Sequence, residues 1–196
     1  MDQETGTLAK DRLVKAGWAS IGNATLSMIP LILLYLFGME GGAVMGKLAT
    51  EGFTFLSLIL TLFLLKTFRK LLNTRFQFHA VDDYVSVLIW GNIVTTALTL
   101  LSLELGGIEE TTNMVNVFVF IFFGIVSIMF SMRLLRLNDN LFGLLKPFCY
   151  TTVAMGVCFA AVILIPLGVF LGAVSDIILG TIFFRASEQP VPPIVS

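Results

Sequence analysis

The sequence predicts an all-α membrane protein of six transmembrane helices arranged as three hairpins, with both termini cytoplasmic. Three observations carry that prediction. The 196-residue chain is 57% hydrophobic and only 13% charged, whereas a soluble globular domain is about 45–50% apolar and about 25% charged. A mean hydropathy of +0.94 makes lipid the main solvent. Six apolar spans can be drawn, each near the roughly 20 residues that a helix needs to cross about 30 Å of hydrocarbon. Once the spans alternate across the bilayer, eleven of the twelve Lys and Arg residues fall on one side and only Lys47 on the other. That is a positive-inside pattern.

Taken in order, residues 1–16 form an N-terminal cytoplasmic and interfacial segment. Residues 1–6 are acidic and polar and are expected to be disordered. Leu8 to Lys15 mixes Lys10, Asp11, Arg12 and Lys15 with apolar residues and reads as a short interfacial helix. Trp18 follows at headgroup depth. A single six-helix transmembrane domain occupies 17–185, with spans at 17–37, 50–67, 84–104, 114–133, 148–165 and 168–185. The last two come from one apolar block, 148–185, which as a straight helix would be about 57 Å long. A break is needed, and Pro166-Leu167-Gly168 supplies a proline that removes a donor and a glycine that allows reversal. The inner loops Thr67 to Phe78 and Leu134 to Phe148 mix basic and apolar residues and read as interfacial segments. The outer connections are short and glycine-rich. Residues 186–196, with three prolines, are expected to form a disordered cytoplasmic tail. The pairs Gly22-Asn23 and Gly91-Asn92 recur at comparable depth, a weak sign of repeated hairpins.

The composition also narrows function. A net charge of -1 leaves no basic excess for nucleic acid. Cys149 and Cys158 lack the spacing of a zinc or redox motif. The sequence has no P-loop, no GxGxxG and no HExxH. His79, Asp82 and Asp83 sit together before the third span, but a lone imidazole in a solvated loop makes a poor metal site. No catalytic residue, metal ligand or cofactor is assigned.

One segment stands out. Gly168, Gly172, Asp176 and Gly180 follow at intervals of four, a slowly slanting stripe on a helix. Gly168-xxx-Gly172 suits close helix approach. The spans place Asp176 within about 2 Å of the bilayer midplane, with Asn23 and Asn92 about 6 Å and 3 Å toward the cytoplasm. Thr95 and Thr96 lie near the same layer. These four residues are the expected hydrogen-bond partners of Asp176. A charge at mid-bilayer is costly, and no Lys, Arg or His lies close by in the spans, so the neutral acid is favoured. Asp176 then either handles a proton or cation, or joins helices as a hydrogen-bonding group.

Two functions follow from these alternatives. The first is a non-enzymatic multi-pass protein of a bacterial cytoplasmic membrane. It would act through helix packing with a partner membrane protein or with identical subunits, in an accessory, assembly or regulatory role. Gly168, Gly172 and Gly180 would form its packing face. The second is a small proton- or cation-linked transporter, channel or membrane solute-binding subunit, with Asp176 as the ion site and Asn23, Asn92, Thr95 and Thr96 around it. The lipid bilayer is a partner in both.

Overall fold

The computed structural model describes residues 2–37, 44–104 and 109–189, with side chains described over 10–29, 32, 52–98, 114–115 and 117–189. These residues are all-α. Six helices follow one another: α1 (Asp2–Phe37), α2 (Val44–Arg75), α3 (Asp82–Glu104), α4 (Glu109–Leu134), α5 (Leu145–Ala160) and α6 (Ile165–Glu188). A 3-10 turn, Leu141–Gly143, precedes α5. Two of the helices are long and apolar enough to cross a membrane, Val117–Leu134 within α4 and Ile165–Glu188, while the apolar Leu145–Ala160 is shorter. Those helices point to a membrane location.

Each helix packs against its neighbours in sequence, and α6 returns to pack along α1. The result is a closed ring of six helices. Three stretches expected to be irregular or separate are continuous helix instead. The helix α1 begins at Asp2, so residues 2–6 are not disordered, and it includes the segment expected to lie apart at 8–15. Nine of the twelve residues of the 67–78 segment belong to α2, which runs on to Arg75. The tail loses its first residues to α6, which reaches Glu188. A helix continues wherever its backbone hydrogen bonds can, and polar residues do not by themselves end it. The outer connections at 38–43 and 105–108, and the tail from 190, lie outside the described residues.

The break between the fifth and sixth spans falls earlier than Pro166-Leu167-Gly168. The helix α5 ends at Ala160, and the chain turns through 161–164, where Val162 has φ +55°. Pro166 instead sits in the first turn of α6. That position needs no backbone donor, so proline starts the helix there without loss. Gly168 follows within the same turn, where it meets the Phe159 ring of α5.

Close approach is set by glycines on three seams. A Cβ at Gly156 would lie 2.6 Å from Gly124 O and 2.8 Å from Ile128 Cγ1, so α4 and α5 touch backbone to backbone. A Cβ at Gly180 would lie 3.0 Å from Gly17 O of α1, and one at Gly172 3.3 Å from Met155 Sδ of α5. The stripe Gly168, Gly172, Gly180 therefore does not form one face. Each step of four residues turns the stripe by about 40°. Its upper glycines meet α5 and its last meets α1.

One end of the ring is sealed by aromatic rings. Phe68 of α2 is 1% exposed. Its ring lies 5.5 Å from that of Phe148, 6.3 Å from Phe183 and 6.4 Å from Phe130, so α2 reaches α4, α5 and α6 across the interior. Leu72, Val85, Leu134 and Leu141 extend this layer. Beneath it the α4–α5 connection carries three consecutive residues at positive φ, Leu141, Phe142 and Gly143. Such conformations are costly outside glycine, and two arginines hold them. Arg185 Nη1 donates to Phe142 O at 2.6 Å, and the Arg75 guanidinium lies 4.9 Å over the Phe142 ring.

The α2–α3 hairpin is stapled at the same end by Asp82. Its Oδ1 accepts from Arg69 Nε at 2.9 Å and from Asn73 Nδ2 at 3.0 Å, and His79 Nδ1 lies 3.1 Å from Oδ2. The cluster noted in the sequence thus closes a turn. Desolvation raises the Asp82 pKa, but hydrogen bonds from Asn73, His79 and Arg69, with the Arg69 charge, outweigh it and hold the group below its ordinary value. A carboxyl with a lowered folded pKa stabilises fully above its unfolded value, about 3.9. That contribution disappears as pH falls through the folded value. Asp82→Asn is therefore expected to flatten the acid limb of a stability curve below about pH 4. Acid unfolding scans of both proteins measure this, and limbs of equal steepness would contradict it.

Candidate functional site

Asp176 occupies the middle of α6, where the ring is widest in polar residues. Its carboxyl Oδ2 accepts a hydrogen bond from Asn23 Nδ2 at 2.8 Å. Asn23 Oδ1 in turn accepts from Ser57 Oγ at 3.0 Å. Ser20 Oγ donates to the backbone oxygen of Asp176 at 2.7 Å. A short polar chain therefore runs from α2 through α1 to α6. It can form because the α1–α6 seam is so narrow. Gly180 and Gly17 bring the two backbones together one turn below, and that places Ser20 and Asn23 within reach.

The ring holds a partly open cavity of about 380 Å³ to which all six helices contribute. Asp176 lies in its wall with Asn23 and Ser27 of α1, Thr61 of α2, and Asn92, Thr95 and Thr96 of α3. Ser127, Thr152 and Ser175 add hydroxyls from α4, α5 and α6. Between these lie the rings of Phe68, Phe120, Phe123, Phe130, Phe148 and Phe159. Small-molecule sites typically measure about 300–1,000 Å³ and combine mostly apolar walls with a few polar groups. A second cavity of about 180 Å³ lies between α1, α2 and α3. It shares Ser27, Thr61, Asn92 and Thr96 with the first, and Ser57 joins its wall. Its remaining residues, Leu26, Phe53, Thr54 and Leu58, lie toward the α1–α2 connection, away from the Phe68 seal.

The five polar residues expected around the site thus share one wall, although not as a single hydrogen-bonded cluster. Asn23 is bonded to Asp176. Asn92 is not a direct partner, because its Nδ2 donates to Leu88 O on its own helix at 2.8 Å. Thr95 Oγ1 likewise donates to Gly91 O at 2.8 Å. A hydroxyl or amide on a helix has a carbonyl one turn back within easy reach, and takes it in preference to a group across a cavity. Of the three glycines, Gly172 reaches the cavity while Gly168 and Gly180 serve the seams.

Sequence reasoning missed Ser20, Ser27, Ser57, Thr61 and the pair Thr152–Ser175, whose hydroxyls are 2.9 Å apart. A signal for several of them was present. Ser20, Asn23 and Ser27 fall at i, i+3 and i+7, and Ser57 and Thr61 at i and i+4, so each set marks one helix face.

The hydrogen-bond chain makes Asn23 and Asn92 unequal. Asn23→Ala removes a donor from the half-buried carboxyl and an acceptor from Ser57. It is expected to cost about 1–3 kcal/mol of stability. Asn92→Ala gives up a bond within its own helix and is expected to cost less than about 1 kcal/mol. Thermal unfolding of the two variants in one detergent compares them directly, and equal losses would contradict the chain described above.

Comparison with protein-family models, with curated proteins and with solved structures finds no significant match to the chain.

Proposed function

We propose that the chain is a six-span protein of a bacterial cytoplasmic membrane that takes a small solute into the cavity of its helical ring, as a transporter or a solute-binding subunit. The observation that carries this is the cavity itself. It lies at mid-helix, draws on all six helices, and holds the half-buried carboxyl Asp176 in its wall. Sealed by Phe68 at one end, it is continuous in its lining with a second cavity on the other side. A partly open wall with one carboxyl among hydroxyls and Phe rings suits binding and passage of a solute.

Two further features support the membrane half of the proposal. Large apolar side chains lie exposed around the ring, among them Trp90, Phe118, Phe122, Met132 and Ile177. A girdle of that kind on a soluble surface would be an aggregation hazard, whereas lipid covers it without cost. Arg75, Arg133 and Arg185 also end α2, α4 and α6 at the end where α3 and α5 begin. That end is cytoplasmic in the proposed topology.

The alternative of association through a small-residue face is less well served. Gly168 and Gly180 meet Phe159 and Gly17 of the same chain, so they offer a partner no surface.

Flux measurements test the proposal. In liposomes, wild type is expected to pass protons or cations, and Asp176→Asn is expected to reduce that flux at least tenfold. Equal flux through both would remove Asp176 from the function. No flux, together with a melting temperature that no small solute shifts, would remove the proposal. Cysteine labelling that found Ser196 outside the cell would remove the six-span topology.

A further inference from the structure

We infer that the solute held in the ring cavity is a small organic ammonium cation, one carrying N–H donors on a short apolar body. The inference rests on the proposed solute-binding function and names its chemical class.

Charge gives the first argument. Among the described residues, Asp176 is the only titratable side chain in the cavity wall; no Lys, Arg, His or Glu accompanies it there. Anionic solutes would meet no countercharge there. Asn23 occupies Oδ2, while Oδ1 accepts no hydrogen bond among the described residues. One carboxyl oxygen thus stands ready for a donor from the cavity, and a cationic donor makes the stronger, charge-assisted bond.

Hydrogen-bond direction gives the second. Thr152 Oγ1 donates to Phe148 O at 2.8 Å, so in its 2.9 Å contact with Ser175 it can only accept. The Ser175 proton is then used on Thr152, and Ser175 is left with lone pairs. Asn92 turns its nitrogen onto Leu88 O and keeps its amide oxygen free to accept. A hydroxyl has one proton to give and two lone pairs. With the Thr152 and Ser175 protons and one Asn92 proton taken up by the protein, Ser175 Oγ and Asn92 Oδ1 present acceptors on the wall that holds Asp176. Acceptors at these positions suit a ligand with N–H donors.

Size and aromatic content give the third. Calcium and magnesium take six or more oxygens at about 2.0–2.6 Å, and among the described residues no group of three or more His, Cys, Asp or Glu side chains gathers to hold a metal ion; the chamber of about 380 Å³ is bounded instead by six Phe rings. Phenylalanine faces attract an alkylammonium through the ring quadrupole and cover its apolar body.

A matched series of butylammonium, butan-1-ol and butanoate tests this on the purified full-length protein in detergent. Calorimetry reads affinity, and small-reagent labelling of Thr96→Cys reads occupancy of the cavity. Butylammonium is expected to bind wild type at least tenfold tighter than butan-1-ol and to slow the labelling, and butanoate to do neither. Asp176→Asn, or Asp176→Ser where the amide fails to fold, is expected to narrow the difference between cation and alcohol, and an unchanged difference would overturn the ammonium assignment. Equal or tighter binding of the alcohol or the carboxylate, with labelling slowed, would overturn the ammonium assignment and leave the solute cavity standing. Labelling that none of the three probes slows would overturn both.

Discussion

Gly156→Ala is expected to lower the stability of the ring by about 1–3 kcal/mol, and Gly156→Leu by more. The added Cβ has nowhere to go. It would lie 2.6 Å from Gly124 O and 2.8 Å from Ile128 Cγ1. The first of these is backbone and cannot rotate aside. The two helices must separate along their whole seam, and every side-chain contact between α4 and α5 loosens with them. In lipid that loss matters more than in water. Apolar side chains gain nothing by leaving acyl chains for one another, so helix association rests on close packing and hydrogen bonds. Gly124→Ala should behave alike, since its Cβ would meet Gly156 O and lie 2.9 Å from Ala160 N. Gly22→Ala supplies the control. Nothing lies within 4 Å of its would-be Cβ, so it is expected to gain about 0.5–1 kcal/mol by stiffening the helix. For a chain of this size about 1 kcal/mol moves the melting midpoint by roughly 2–4 °C. Unfolding scans should therefore separate Gly156→Ala and Gly124→Ala cleanly from Gly22→Ala, and a neutral Gly156→Ala would disprove the backbone contact.

That seam also shows where sequence reasoning stopped. The glycine stripe of α6 was visible because four positions repeat at one interval. Gly124 and Gly156 are single glycines on different helices, and pairing them requires knowing which helices touch. Gly156-xxx-Ala160 did carry the small-xxx-small spacing, but that pattern is common in apolar segments. Helix number and type were legible, because apolar length is a local property of the chain, and so was the place of Asp176 as a lone acid in an apolar segment. The break at 161–164 was not. Proline and glycine mark irregular backbone in general, yet proline is also at ease in a first helical turn, and only the packing of Gly168 on Phe159 decides between the two. The cavity was legible in outline. Its polar layer could be assembled from helix faces one at a time, whereas the direction of each hydrogen bond, and hence the acceptor character of the wall, depends on which carbonyl each hydroxyl reaches.

Phe68→Ala is expected to produce the largest change of any single side-chain truncation, and in two measurements at once. Phe68 is 1% exposed and is the one ring of the inner seal that touches rings of α4, α5 and α6 together, at 6.4, 5.5 and 6.3 Å. Truncating a buried Phe costs about 3–5 kcal/mol where the neighbours cannot collapse into the space. Here they are held apart. Phe130, Phe148 and Phe183 belong to three helices whose spacing is fixed elsewhere, at glycine seams and at the Arg185 bond to Phe142 O. Because Phe68 also forms part of the cavity wall, the space it leaves joins the cavity to the layer below. Liposomes holding Phe68→Ala are therefore expected to leak small solutes that wild type retains. Phe68→Leu keeps an apolar plug but loses the edge contacts, each worth about 0.5–1.5 kcal/mol, and should be destabilised without leaking. Phe118→Ala, at a ring 71% exposed, should change neither property. A Phe68→Ala protein as stable and as tight as wild type would mean that the seal lies elsewhere. A leak without loss of stability would mean that the three rings close on one another unaided, and that Phe68 blocks the path without organising it.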